Sequence, residues 1–249
     1  MPQYNKLPMI IPKGKEKIIY MRRLFGRVAQ NYDFMNRLMT FGQDLRWRSE
    51  AIRQLDIQPG QRILDAGAGT GDISLEISNR YPQTQLVACD LTPEMIAVGK
   101  KRPGGNQLNW VIADAQYLPF QTAAFDGVIS AFLIRNVPDL IACLQEQHRV
   151  LSQGMKMVAL ETSPPGCGLM LPLIKFYLRV IIPLLGKILL KDAEPYMYLP
   201  QSTEEFLPAA QLAERLRMLG FDQVNYVCRM FGTMAIHLAR KIKSPTIPG

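Results

Sequence analysis

The run Ile63-Leu64-Asp65-Ala66-Gly67-Ala68-Gly69-Thr70-Gly71-Asp72 constrains this 249-residue chain more than any other stretch. A short apolar strand feeds into a turn with glycine at alternate positions and ends at a helix start, the unit from which a parallel α/β sheet is built. Glycine there removes the Cβ that would keep a ligand off the backbone, and it allows positive φ where the strand reverses. The spacing is G-x-G-x-G, whereas a dinucleotide loop reads G-x-G-x-x-G. With Asp65 before it and Asp72 after it, the loop suits a cofactor that carries positive charge better than one that carries phosphates.

S-adenosylmethionine has a sulfonium, an ammonium and no phosphate. The loop resembles the first motif of the S-adenosylmethionine-dependent methyltransferase superfamily, which makes Asp65, Gly67, Gly69, Thr70 and Gly71 candidate cofactor ligands. The next apolar run, residues 86–90, ends in Asp90 about 20 residues beyond the glycines, where a doubly wound fold sets a carboxylate against ribose hydroxyls. Leu91 follows it. Asp90 also reads as a turn acid before Thr92-Pro93-Glu94, a good helix start, and the two roles are compatible. A third run, residues 108–113, delivers Asp114 and Ala115, an acid able to accept from an adenine amino group. A fourth, residues 125–130, ends at Ser130. Each places a polar residue at the carboxyl end of a strand, the edge at which open α/β sheets bind ligands.

The α/β alternation runs from about residue 50 to 160 and resumes after 205, so the expectation is one domain with additions. A hydrophobic content of 48% is ample for a core. The four cysteines, at 89, 143, 167 and 228, have neither pairing nor metal-ligand spacing, and only two histidines are present, so no metal site is expected. Lys6, Lys13, Lys15 and Lys17 interrupt any apolar leader core, and the expected location is cytoplasmic.

The net charge of +8 suggests an anionic partner. Residues 168–191 are strongly apolar yet carry Lys175, Arg179, Lys187 and Lys191. On one continuous helix, at about 100° per residue, these would share an arc of roughly 160°, although Pro172 and Pro183 should break or kink it. The charges argue against a membrane span. Two readings fit: an interfacial segment on anionic lipid, on the inner face of the membrane, and a buried cap over the active site. Nucleic acid is not an expected partner, because only Phe176 and Tyr177 there could stack on bases.

Together these residues resemble one family, the ubiquinone/menaquinone biosynthesis C-methyltransferases. The resemblance covers roughly residues 20 to 241 and rests on Tyr32-Asp33-Phe34-Met35-Asn36, Phe41-Gly42 with Trp47-Arg48, the glycine loop, Leu118-Pro119-Phe120, Arg135-Asn136-Val137-Pro138-Asp139, Tyr198-Leu199-Pro200-Gln201-Ser202 and residues 232–237. Three places depart from the family pattern: Asp44-Leu45 before the tryptophan, Glu161-Thr162-Ser163 where Glu-Phe-Ser is frequent, and Leu133 where glycine is frequent.

The resemblance implies an α/β, doubly wound, seven-stranded and mostly parallel sheet that ends in an antiparallel hairpin. It implies an N-terminal helical lid over residues 1–48, a methyltransferase domain over 49–241 with a substrate cap at 164–205, and a disordered tail at 242–249. It implies methyl transfer from S-adenosylmethionine to a ring carbon of a polyprenyl quinol at a membrane surface, by a monomer or a homodimer. A ring carbon is a poor nucleophile until the neighbouring hydroxyl loses its proton, so the site must hold a phenolate-like charge. Arg135 is expected to stabilise that charge and Asn136 to fix the hydroxyl or a water; a cap on the following helix is the plainer reading of the pair. Tyr32, Asp33, Asn36, Arg135, Tyr198 and His237 are the expected substrate contacts, with a structural role in the last strand the plainer reading of His237. A methyltransferase of another lipid or small-molecule acceptor, and a non-catalytic cofactor-binding subunit, stay open at this level.

Overall fold

A computed structural model describes residues 11–166, 170–190, 192 and 194–242. Among these, seven strands form one sheet in the order β3-β2-β1-β4-β5-β7-β6: β1 Arg62–Ala66, β2 Gln85–Asp90, β3 Asn109–Ile112, β4 Phe125–Ala131, β5 Leu151–Thr162, β6 Phe221–Arg229 and β7 Met234–Lys241. The first five are mutually parallel. β7 runs antiparallel to β5 and to β6, which leaves six strands pointing one way, as expected. β1 pairs with β2 on one side and β4 on the other, so chain direction through the sheet reverses beside it, and the carboxyl end of β1 opens a crevice.

The central strands are short apolar runs because helices cover both of their faces. One core packs Leu64, Val128 and Phe125 against Leu144 of α6 (Leu140–Val150) and Leu212 and Leu216 of α10 (Ala209–Met218). The other packs Ile63, Ile129 and Val158 against Trp47, Ile52 and Leu55 of α3 (Gln43–Leu55) and Ile73 and Ile77 of α4 (Asp72–Arg80). Each such side chain contributes about 1.5–3 kcal/mol through its burial. α5, Pro93–Lys101, starts with proline in its first turn, where the missing amide hydrogen is not needed.

Two further helices precede α3: α1 Gly14–Val28 and α2 Tyr32–Thr40. The domain boundary expected at residue 48 falls inside α3, whose Trp47 and Ala51 are built into the second core. The N-terminal helical segment ends instead at the turn of Phe41 (φ 52°) and Gly42 (φ 71°). α2 lays Met35 and Met39 against Leu178, Ile182 and Tyr196. These three belong to the helical cap formed by α7 Leu171–Phe176, a π turn at Tyr177–Ile181, α8 Ile182–Leu190 and α9 Glu194–Glu204.

The expected break at Pro183 does not occur. A proline ring collides with the carbonyl four residues back in an α-helix, and here the turn before it is widened, so that the Ile182 amide donates to the Tyr177 carbonyl five residues back. The helical path from 171 to 190 is thereby continuous. Pro172 sits in the first turn of α7. The expected tail at 243–249, Cys167 and Lys191 lie outside the described residues.

Candidate functional site

Two neighbouring cavities occupy the crevice. The smaller, of about 100 Å³, lies at the carboxyl ends of β1 to β4 and is lined by Gly67, Gly69, Asp90, Leu91, Asp114, Ala115 and Asn136, with Ile18, Met21, Arg22 and Phe25 of α1 above them. The larger, of about 470 Å³, lies between α2, the helical cap and the turn before β7; Asn36, Arg135, Thr162 and Tyr198 are among its walls. Phe25, Tyr32 and Phe132 line both.

The glycine loop folds on itself. Gly67 and Ala68 amides donate to the Cys89 carbonyl (2.8 and 2.9 Å), Gly71 to Ala68 (2.9 Å), and Gly69 to the Asp90 carboxylate (2.8 Å). With these four donors engaged, the loop is no nest for a phosphate, in keeping with its G-x-G-x-G spacing. Gly69 (φ 58°) lines the smaller cavity, and a Cβ there would meet no atom within 4 Å: it would project into open space that a ligand needs. Leu133 lies over Gly67, where a Cβ would come within 2.8 Å of it, so the bulky residue at 133 is accommodated by the missing side chain at 67.

Asp90 also accepts from the Thr92 amide (2.8 Å). Burial raises its pKa, against hydrogen bonds from Thr92, Gly69 and Leu91, and the residue lines the smaller cavity. Asp114 accepts from the Gln116 amide (2.9 Å) and side chain and faces the same cavity. Two carboxylates and a glycine cradle without an anion nest fit a cofactor bearing hydroxyl, amine and cationic groups.

Four expected cofactor residues do not reach the cavity wall: Asp65, Thr70, Gly71 and Ser130 lie behind it. Asp65, 1% exposed, accepts from the Ser74 hydroxyl (2.6 Å), and burial pushes its pKa up to about 7. Thr70 donates to Asp33 (2.6 Å). Gly71 (φ 85°) closes the turn onto α4 beneath Trp110, which leaves no room for a Cβ. Ser130 is buried within β4.

The expected substrate residues divide in the same way. Tyr32, Asn36, Arg135 and Tyr198 line the larger cavity. Asp33 does not: it takes the Thr70 hydroxyl and Arg102 (3.1 Å), tying α2 to the glycine loop. It is part of a cluster in which Arg37 bridges Asp44 (2.7 Å) and Asp72 (2.8 Å), and Arg102 and Arg48 also reach Asp72. Burial works to raise the Asp72 pKa, but Arg48, Arg37 and Arg102 together hold it below the usual carboxylate range. His237 is 1% exposed, with Nε2 against the Ala209 carbonyl (2.9 Å) and its ring stacked on Tyr226; burial lowers its pKa, and it touches neither cavity. The sheet pairing of β7 with β5 puts it there.

Arg135 sits in a single 3₁₀ turn after β4, its side chain 6% exposed, paired with the fully buried Glu161 at the end of β5 and stacked on Phe132. Burial alone would lower the guanidinium pKa; Glu161, with Tyr198 and Tyr32, turns the balance and keeps it charged. Glu161 also takes the Thr162 amide (2.8 Å). Nothing local in the sequence identified Glu161 as this partner, because the pairing spans 26 residues. Asn136 faces the smaller cavity. Its amide donates to the Phe132 carbonyl (2.6 Å) and accepts from Tyr198 (2.9 Å), whose pKa burial pushes up to about 12. It therefore braces the turn that presents Arg135. Lys17 of α1 donates to the Arg135 and Val137 carbonyls (3.0 and 2.9 Å), closing α1 over that turn. Asp139 caps α6 by accepting from the Ala142 amide (3.0 Å), so the cap role expected as the plainer reading of Arg135-Asn136 falls to Asp139.

The sequence pattern of the ubiE/COQ5 methyltransferase family matches residues 13–241. The chain is 39% identical over 217 residues to a ubiquinone/menaquinone biosynthesis C-methyltransferase UbiE of Desulfotalea psychrophila, covering 87% of this chain and 88% of that one. It is 36% identical over 233 residues to a demethylmenaquinone methyltransferase of Geobacillus kaustophilus, covering 92% and 99%. Among solved structures it resembles phosphoethanolamine N-methyltransferase 2 of Haemonchus contortus in complex with S-adenosyl-L-methionine, with a TM-score of 0.61 at 15% identity over 80% of this chain and 53% of that longer one, a likeness of fold.

Proposed function

Because the chain belongs to the ubiE/COQ5 methyltransferase family, and so is an S-adenosylmethionine-dependent C-methyltransferase of quinone biosynthesis, we propose that the smaller cavity holds the cofactor and the larger one a polyprenyl quinol. The observation that carries this reading is the buried Arg135 in the wall of a largely apolar chamber, whose other ionisable acid, Asp44, is already held by Arg37, next to the smaller cavity that the glycine loop lines. When bound, S-adenosylmethionine supplies an electrophilic methyl on a sulfonium. Gly67 and Gly69 give it room, Asp90 takes the ribose hydroxyls and Asp114 an amino group. Arg135 stabilises the oxyanion left when a ring hydroxyl gives its proton to water, which raises electron density on the neighbouring ring carbon; once that carbon has taken the methyl, its own hydrogen leaves as a proton to water and the ring regains aromaticity. Asn136, Tyr198 and Lys17 hold the turn that aims Arg135, and Tyr32 and Phe132 form the wall across which ring and methyl meet. A phospholipid amine or another small-molecule nitrogen as acceptor is disfavoured by that arginine, which would repel an ammonium.

The same reading extends to a membrane surface. Leu173, Phe176, Val180, Leu184 and Ile188 are exposed at spacings of three and four on the helical cap, with Lys175 and Lys187 exposed among them. Phe41 (78% exposed) and Phe231 (69% exposed) also line the larger cavity, so its rim is apolar outside as well as inside. No helix among the described residues is long and apolar enough to cross a membrane. Peripheral contact from the cytoplasmic side, with lysines at anionic headgroups, would let a prenyl tail enter without crossing water.

Purified protein given methyl-labelled S-adenosylmethionine and short-chain demethylated naphthoquinols and benzoquinols should place label on a ring carbon, read by mass spectrometry. Cofactor binding with no ring labelled would overturn the quinol assignment. Co-sedimentation with anionic vesicles and not with zwitterionic ones is the expected companion result, and equal binding to neither would remove the lipid surface.

A further inference from the structure

The larger cavity is lined almost wholly by apolar side chains, and most polar groups in its wall are engaged. Thr40 donates to the Asn36 carbonyl (2.7 Å), Thr233 to the Met230 carbonyl (2.8 Å) and Tyr198 to Asn136 (2.9 Å). Three polar atoms carried by wall residues are different. Asn36 Nδ2, Arg135 Nε and Thr162 Oγ1 are each buried with no hydrogen-bond partner, and a ligand oxygen reaches them once the side chain turns toward the cavity. An unsatisfied buried polar atom costs stability, so each is accounted for if a ligand completes it.

Their chemistry divides the work. Arg135 carries the charge and belongs to the ring oxygen that becomes anionic. Thr162 is neutral and its backbone is held by the sheet: it is the last residue of β5, paired with Met234 of β7, its amide held by Glu161 and the residue 4% exposed. Valine would fill the same volume without an orphan hydroxyl. We propose that Thr162 is a specificity-determining residue, its hydroxyl hydrogen-bonding the second oxygen of the acceptor ring, so that the cavity selects a dihydroxy ring over one with a single hydroxyl. Pockets built to hydrogen-bond a substrate oxygen reject the analogue lacking it far better than apolar pockets reject an added one. The inference rests on the quinol reading given above.

The test compares two acceptors on the full-length protein: a short-chain demethylated naphthoquinol, and the same ring with one hydroxyl, which keeps the activating oxygen and lacks the second. Wild type should favour the quinol. Thr162→Val should lose about tenfold in kcat/KM for the quinol and little for the mono-hydroxy ring, with the S-adenosylmethionine KM unchanged and Tm equal or higher. Thr162→Ser should restore the preference, and Thr162→Ala serves as a second hydroxyl-free variant where valine crowds the cavity. An unchanged ratio of the two acceptors in both hydroxyl-free variants, beside an active wild type, overturns this inference alone. A wild type that methylates neither ring overturns the quinol reading and this inference with it.

Discussion

The pairing of Arg135 with Glu161 can be tested by removing the acid's charge while keeping its shape. In Glu161→Gln the guanidinium remains in a site where its side chain is 6% exposed and its partner's is 1% exposed, with no replacement anion. The new amide also cannot serve all its neighbours. Glu161 accepts from Arg135, from the Arg135 amide (3.3 Å) and from the Thr162 amide (2.8 Å), and a glutamine NH₂ must face one of these donors with a donor of its own. Breaking a buried pair in this way costs about 3–5 kcal/mol. For a chain of this size each kcal/mol moves Tm by about 2–4 °C, so thermal unfolding should shift down by about 6–20 °C. The double replacement Arg135→Met with Glu161→Leu should recover most of that loss, since apolar residues of similar volume commonly match or exceed a buried ion pair, while abolishing methyl transfer to the quinol. A Glu161→Gln protein that melts within about 2 °C of wild type would refute the claim that this carboxylate balances the arginine, and an active double variant would refute the electrostatic role of Arg135.

Two other outcomes follow from the cofactor side. Gly67→Ala forces a Cβ to within 2.8 Å of Leu133 at a φ of 73°; strain of about 1–3 kcal/mol should weaken S-adenosylmethionine binding about 5- to 160-fold by calorimetry, and an unchanged affinity would show that the loop has slack. Asp65 has a folded pKa raised by burial to about 7, so the folded state holds a proton that the unfolded chain has released; stability from this group is present below about pH 4 and lost as pH rises to about 7. Asp65→Asn should therefore flatten the fall in unfolding free energy between those values, and an identical pH profile in wild type and variant would contradict it.

Four strands were legible because they announce themselves as apolar runs that end in a polar residue; the seven-stranded sheet and its antiparallel hairpin were expected from the family resemblance alone. The turn of the glycine loop was legible because its hydrogen bonds and positive φ values depend on residues close in sequence, and Asp90 because the doubly wound fold sets an acid at the end of the next strand. What a local pattern cannot carry is the depth of a residue in the wall. Asp65 and Thr70 share the motif with Gly69 yet lie behind the surface that a ligand would touch, as does Ser130 within β4. Asp33 and Asn36 stand three residues apart on α2, and one turns to the glycine loop while the other turns to the acceptor chamber. Glu161 and Thr162 looked like a variation at the end of a strand; their importance appears only when β5 is set beside the turn after β4. Pro183 read as a break because proline rules assume an α-helix, and the chain widens to a π turn just before it.

Phe25, Tyr32 and Phe132 are common property of the two chambers. A ligand in either chamber therefore packs against rings that the other chamber also uses. A first ligand that orders those rings would leave them ordered for the second, and the two affinities would then be interdependent without any movement of the sheet. Thermodynamic reciprocity then requires that the factor by which cofactor tightens acceptor binding equal the factor by which acceptor tightens cofactor binding. A partition of three aromatic rings is in this sense a messenger as well as a barrier.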